Sequence, residues 1–175
     1  AVQPYEPDTF ASGVCPMAGK SDEDSKIYFN NLCGVLVINL TGTDKITSVS
    51  FQGMDASGAL MKISGEHTVD MNYTDAPALA STSNSSMQVT LKCDTPVELD
   101  SATPTAFHFV LPPAEYNSFR LLISTDDGRV MIKEGRKPLT IKRANITTAG
   151  ALEFVETIDI DLSAEGNSNC YIVSE

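Results

Sequence analysis

The chain has 175 residues, 42% hydrophobic and 20% charged, with a formal net charge of −11. That length supports one substantial core and is short for two independent domains. No run approaches the roughly 20 apolar residues of a membrane-spanning helix, and the acidic balance argues against nucleic acid, whose phosphates are held by clustered positive charge.

The first stretch, AVQPYEPDTFASGVCPMAGKSDEDSK, mixes Pro4, Pro7, Gly13, Pro16 and Gly19 with the acidic cluster Asp22, Glu23 and Asp24. Proline and glycine at that density interrupt ladders and helices, so residues 1–26 read as an extended surface arm with at most a short edge strand. No charged, apolar and small-residue signal pattern opens the sequence. IYFNNLCGVLVINLTG follows, rich in β-branched and aromatic residues and closed by Gly42. It suits either a strand buried on both faces or two short strands meeting near Gly34.

In KITSVSFQG, Val49 and Phe51 fall on one face and Ser48 and Ser50 on the other, the pattern of a half-exposed strand. A turn at Asp55–Gly58 leads to Leu60, Met61 and Ile63, which predicts a hairpin with the preceding strand, ended by Gly65. Residues 70–86 are small, polar and proline-containing, the signature of a long surface loop. Period two returns at Met87, Val89, Leu91 and Cys93.

FHFVLPP places Phe107, Phe109 and Leu111 on one face and stops at Pro112 and Pro113, which cannot donate to a ladder. FRLLISTDDGRVMIK is the clearest hairpin: Phe119, Leu121 and Ile123 face inward on one arm, Asp127 and Gly128 turn, and Val130 and Ile132 face inward on the other. LTIKRANIT and LEFVETIDIDL add two alternating segments, and the chain closes on Cys170, Tyr171, Ile172 and Val173.

These short strands, separated by frequent turns and without a 3.6-period helix, predict an all-β Greek-key sandwich. Its layers should enclose Phe51, Leu91, Phe109, Leu121 and Ile132. The organisation is an arm over 1–26, a sandwich over 27–162, and a terminal strand over 163–175. That last segment is either the final strand of this domain or the opening strand of a downstream module.

The chemistry-bearing residues form no recognisable catalytic, cofactor or metal pattern, and a non-catalytic protein is expected. His67 follows a glycine turn, His108 lies between apolar strand residues, and no GxSxG elbow occurs. Asp126–Gly128 lacks the calcium-loop spacing and reads as a turn, while Asp159 and Asp161 read as one solvated strand face. Asn39, Asn72, Asn84 and Asn145 begin Asn-X-Ser/Thr triplets to which no role is assigned. Half of the twelve basic residues lie between Arg129 and Arg143, which fits oppositely charged neighbouring strands as well as a binding stripe. Cys15, Cys33, Cys93 and Cys170 lack paired metal-site spacing; a Cys33–Cys93 disulfide is one expectation, because both lie in strand-like segments, and buried free thiols are the other.

In that order, FNNLCGVLVINLTGTDKITSVSFQG, VTLKC, FHFVLPPAEYNSFRLLISTDDGRVMIK and IKRANI resemble the fimbrillin-like surface lipoproteins of Bacteroides and relatives, fimbrial subunits and cell adhesion proteins, over residues 27–154. The resemblance implies a transthyretin-like sandwich, export to the outer membrane surface, and an anchor by lipidation upstream of Ala1. The partners it implies are other subunits or modules of the same assembly, or a host or bacterial surface ligand. NSNCYIV resembles the opening of a following module in such proteins, which makes Cys170–Val173 the expected assembly strand. The alternative is a carbohydrate-binding module, for which Trp is absent and five dispersed Tyr residues remain, Tyr73 and Tyr116 being the candidates.

Overall fold

A computed structural model describes residues 1–21, 25–73 and 76–157. The described residues form sixteen strands: β1 (Val2–Glu6), β2 (Thr9–Phe10), β3 (Met17–Ser21), β4 (Ile27–Asn31), β5 (Gly34–Thr41), β6 (Lys45–Met54), β7 (Ser64–Val69), β8 (Leu79–Ser86), β9 (Val89–Glu98), β10 (Thr105–Leu111), β11 (Ala114–Tyr116), β12 (Ser118–Thr125), β13 (Val130–Gly135), β14 (Leu139–Ile141), β15 (Ile146–Thr148) and β16 (Leu152–Glu153). A six-stranded sheet runs β13-β12-β6-β9-β1-β2, and a four-stranded sheet runs β10-β5-β15 with β16 also on β5.

The two sheets face each other as a β-sandwich with Greek-key-like crossings: the chain changes sheet between β5 and β6, β9 and β10, and β10 and β12. Alternation explains the contact. Val49 and Phe51 on β6, Val89 and Leu91 on β9, and Leu121 and Ile123 on β12 meet Leu36, Ile38, Phe107 and Phe109 in one buried cluster. The rings of Phe51 and Phe109 bridge the layers at 6.2 Å between centroids.

Of the five core residues expected from the sequence, Phe51, Leu91, Phe109 and Leu121 are fully buried, whereas Ile132 is 41% exposed and Met131 takes the inward position. The reason is the length of the turn. Thr125 N–H bonds to the Arg129 carbonyl, leaving a three-residue loop with Gly128 at φ 87°, and Ser124 pairs with Val130. A two-residue turn at Asp127–Gly128 would shift the register by one, and a shift of one exchanges the faces.

Strand β5 satisfies both expectations for the apolar run, since a break before Gly34 separates it from β4 and both of its faces are buried. Leu36, Ile38 and Leu40 enter the main core. Val35 and Val37 face a second cluster with Ala18, Leu32, Cys33 and Val110, against which Phe10, Val14, Cys15, Val69 and Leu79 pack.

The N-terminal arm is extended but enters the ladders: Val2, Gln3 and Pro4 pair in parallel with Thr90, Leu91 and Lys92. Residues 79–86, expected as loop, are strand β8, antiparallel to β7. Its residues are small and polar, so no apolar period announces it. The hairpin expected after Asp55 is reduced to a single bridge between Met54 and Leu60, closed by an Asp55 carboxylate that accepts the Ser57 and Ala59 N–H groups.

Candidate functional site

The hairpin of β3 and β4 is a two-stranded sheet beside the sandwich. Its ladder runs from Met17 opposite Asn31 to Ser21 opposite Ile27. One face lays Ala18 on the outer side of the four-stranded sheet, with Leu32 just past the end of β4. The other face carries Met17, Ile27 and Phe29, which are 59%, 61% and 67% exposed. A sheet face this apolar ordinarily lies under another layer.

The apolar surface continues into a cavity of about 400 Å³ lined by Phe10, Cys15, Met17, Cys33, Val35 and Ile146, among others. Ile146, on the edge strand β15, is 71% exposed at its rim. Gly34 lies in its wall, and the backbone there is close: a Cβ at residue 34 would stand 2.2 Å from the Lys142 carbonyl oxygen. Any side chain would force β5 and the segment before β15 apart.

The edge of the hairpin is also open. Leu32 N–H donates to the Pro16 carbonyl at 3.0 Å, so Tyr28, Asn30 and Leu32 turn their backbone groups toward β3, while Ile27, Phe29 and Asn31 turn theirs outward. The Asn31 carbonyl accepts from Arg143 Nη1 at 3.3 Å. Among the described residues no strand pairs with β4 on that side.

Two other edges are met by polar groups of the chain itself. At β10 the Gln3 amide imitates a strand, donating to the Val110 carbonyl at 2.7 Å and accepting the Val110 N–H at 3.1 Å. At β13 Thr157 N–H donates to the Val130 carbonyl and its hydroxyl accepts the Ile132 N–H. Unpaired edges template association, and such coverings suppress it.

Of the two expectations for Cys33 and Cys93, the structure shows buried free thiols rather than a bridge. Cys33 and Cys93 are free thiols on opposite sides of the four-stranded sheet, Cys93 in the main core and Cys33 in the outer cluster. Burial pushes each up to about 11. Cys170–Val173 and the Asp159–Asp161 pair lie outside the described residues.

His108 faces the outer side of β10 with Nδ1 buried and without a hydrogen-bond partner among the described residues. It pairs across the strands with Val37, and burial lowers its pKa against the opposing pull of the Asp8 carboxylate. Within the basic stretch Arg129 binds Asp127 and Asp44, and outside it Arg120 binds Glu134 at 2.8 Å. Asp126–Gly128 closes the β12–β13 hairpin, with the Asp127 carboxylate accepting from Thr125 Oγ1 at 2.6 Å. Among the described residues no three His, Cys, Asp or Glu side chains gather as a metal set.

The apolar run expected as one buried strand or as two short strands meeting near Gly34 divides near Gly34, with Ile27, Tyr28 and Phe29 in the separate strand β4. The pairing of residues 17–21 with 27–31 detaches IYFNN from the core strand that follows, and the acidic cluster Asp22, Glu23 and Asp24 between the two segments is a sequence signal of that separation.

No protein-family model matches the chain, and no curated protein matches it.

Proposed function

We propose that this chain is a non-catalytic cell-surface module that works in adhesion or fimbria-type assembly by β-strand addition, with the β3–β4 hairpin as acceptor. The observation that carries this reading is the uncovered face and edge of β4 in a protein whose β10 and β13 edges are both covered. A strand added along Ile27–Asn31 would bond to the outward N–H and C=O groups of Ile27 and Phe29 and set alternate apolar side chains beside theirs on the same face. Cross-strand apolar pairs of that kind contribute about 0.2–1 kcal/mol each beyond the backbone bonds.

The donor is the Cys170–Val173 segment of a neighbouring subunit, whose β-branched and aromatic residues suit a paired strand. Location at the outer membrane surface and an upstream lipid anchor belong to the same proposal and rest on the fimbrillin-like resemblance of residues 27–154. Sedimentation velocity over a concentration series tests the assembly step. The wild-type chain should associate as concentration rises, and both Phe29→Ser and deletion of residues 170–173 should return it to monomer. A wild-type chain that stays monomeric throughout, or variants that associate equally well, would contradict the proposal.

A carbohydrate-binding module keeps one observation in its favour. Tyr28 is 56% exposed and directly opposite Lys20, whose Nζ lies 5.4 Å above the Tyr73 ring. An open ring beside a hydrogen-bond donor is what a sugar face requires. Tyr116, the other candidate, is buried in the main core and unsuited to that role. Glycan-array binding lost on Tyr28→Ala would favour this second reading over assembly.

A further inference from the structure

We infer that Cys15 and Cys33 form a disulfide when the protein meets an oxidant, and that this bond pins the β3–β4 hairpin to the start of β5. Met17 opposes Asn31 in the ladder, and the Leu32 N–H···Pro16 bond extends it by one pair. Continued by one further step, that register sets Cys15 opposite Cys33.

Because Leu32 donates its N–H to the Pro16 carbonyl, Cys15 and Cys33 would occupy the adjacent position of the register, which carries no backbone bond. At such positions opposed Cα atoms lie about 4.5 Å apart and side chains converge, within the roughly 4.4–6.8 Å that a disulfide spans. Three further observations agree. Cys15, Met17, Asn31 and Cys33 all line the same cavity, as alternate residues on one face of a continued ladder must. Cys15 packs against the apolar cluster that contains Cys33, and Cys33 is raised first by burial and then by the nearby Cys15 thiolate. The Cys33 carbonyl is held by the Ala144 N–H at 2.9 Å, which fixes one partner in place.

The oxidant required is a small disulfide such as oxidised glutathione. Cys15, the more accessible thiol, loses its proton and attacks one sulfur, forming a mixed disulfide and expelling one glutathione thiolate. Cys33 then loses its proton and displaces the second glutathione, forming the Cys15–Cys33 bond. Two protein thiols are oxidised and one glutathione disulfide is reduced to two thiols. This inference is independent of the assembly proposal.

The test is peptide mapping by mass spectrometry, without reduction, of the full chain treated with oxidised glutathione. The expected product is one cross-linked peptide pair containing Cys15 and Cys33, lighter by two hydrogens, with loss of alkylation at both residues. Cys93→Ser should leave that product intact, and Cys15→Ser should abolish it. Cys15 and Cys33 alkylated separately, glutathione retained on Cys15, or either cysteine joined to Cys93 or Cys170 would overturn the inference.

Discussion

The ring of Phe29 lies across Gly19, its opposite number in the ladder: a Cβ at residue 19 would stand 2.8 Å from Phe29 Cε1. That pair is the main apolar contact on a face otherwise turned to water, and Phe29 remains 67% exposed despite it. Phe29→Ser should therefore change folding stability by less than about 1 kcal/mol, the ordinary range for an exposed position. Phe109→Ala, which empties a fully buried site, should cost about 3–5 kcal/mol. Urea denaturation of both variants checks the contrast; equal costs would mean that the hairpin face is covered.

Tyr116 on β11 closes the main core over Gly53 on β6. A Cβ at residue 53 would stand 2.2 Å from Tyr116 Cδ1, and the ring meets Phe51 edge-on with 5.4 Å between centroids. Gly53→Ala should destabilise the fold by about 1–3 kcal/mol through overpacking. The Tyr116 hydroxyl is buried and finds no hydrogen-bond partner among the described residues. Tyr116→Phe should consequently be neutral or stabilising, because it removes a desolvated group and no bond. Thermal denaturation of the two variants distinguishes these signs.

Arg129 joins the β12–β13 turn to the β5–β6 turn by holding Asp127 and Asp44 together. Its hydrogen bond, with that of Thr125, lowers the Asp127 carboxyl to about 2. An unfolded aspartate titrates near about 3.9, so the contribution of Asp127 is fully present above that value and is lost as pH falls toward about 2. The group is exposed and screened by solvent, so the effect belongs to its titration rather than to global stability. NMR titration should give a depressed Asp127 midpoint that Arg129→Leu returns toward the ordinary carboxylate range.

A Cys15–Cys33 bond would close a loop of nearly twenty residues that contains β3 and β4. In the chain-entropy account a loop of that size is stabilised by about 3 kcal/mol. Urea midpoints of the reduced and oxidised chain should differ accordingly, and Cys15→Ser should remove the difference.

The sequence discloses most about strands with one dry face. The β12–β13 hairpin and the inward set Phe107, Phe109 and Leu111 follow from period two and from proline stops, and all three side chains are buried. Turn length is less visible. DDG accommodates two or three loop residues, and that single choice decides whether Ile132 or Met131 enters the core. Strand β8 is hidden for another reason: Ser81, Thr82, Ser83 and Ser86 pair through the backbone with β7, and the hairpin meets the sandwich mainly through Val69 and Leu79.

The candidate site was legible only in pieces. IYFNN reads as strand, but nothing in its composition says that it leaves the core sheet and turns Ile27 and Phe29 outward. Strand-like character alone left Cys33 and Cys93 open between a bridge and free thiols, because it carries no information about the layer each faces. Cys15 lies in a stretch whose prolines suggest an irregular arm, so the register that opposes it to Cys33 emerges only once β3 and β4 are paired.

Amide hydrogen exchange at Ile27 and Phe29, followed as protein concentration rises, tests strand addition at β4 most directly. Both N–H groups point away from β3, so they should exchange readily in dilute solution and become protected as the chain associates, while Tyr28 changes little. Association that leaves Ile27 and Phe29 exchanging at their dilute rates would contradict the account.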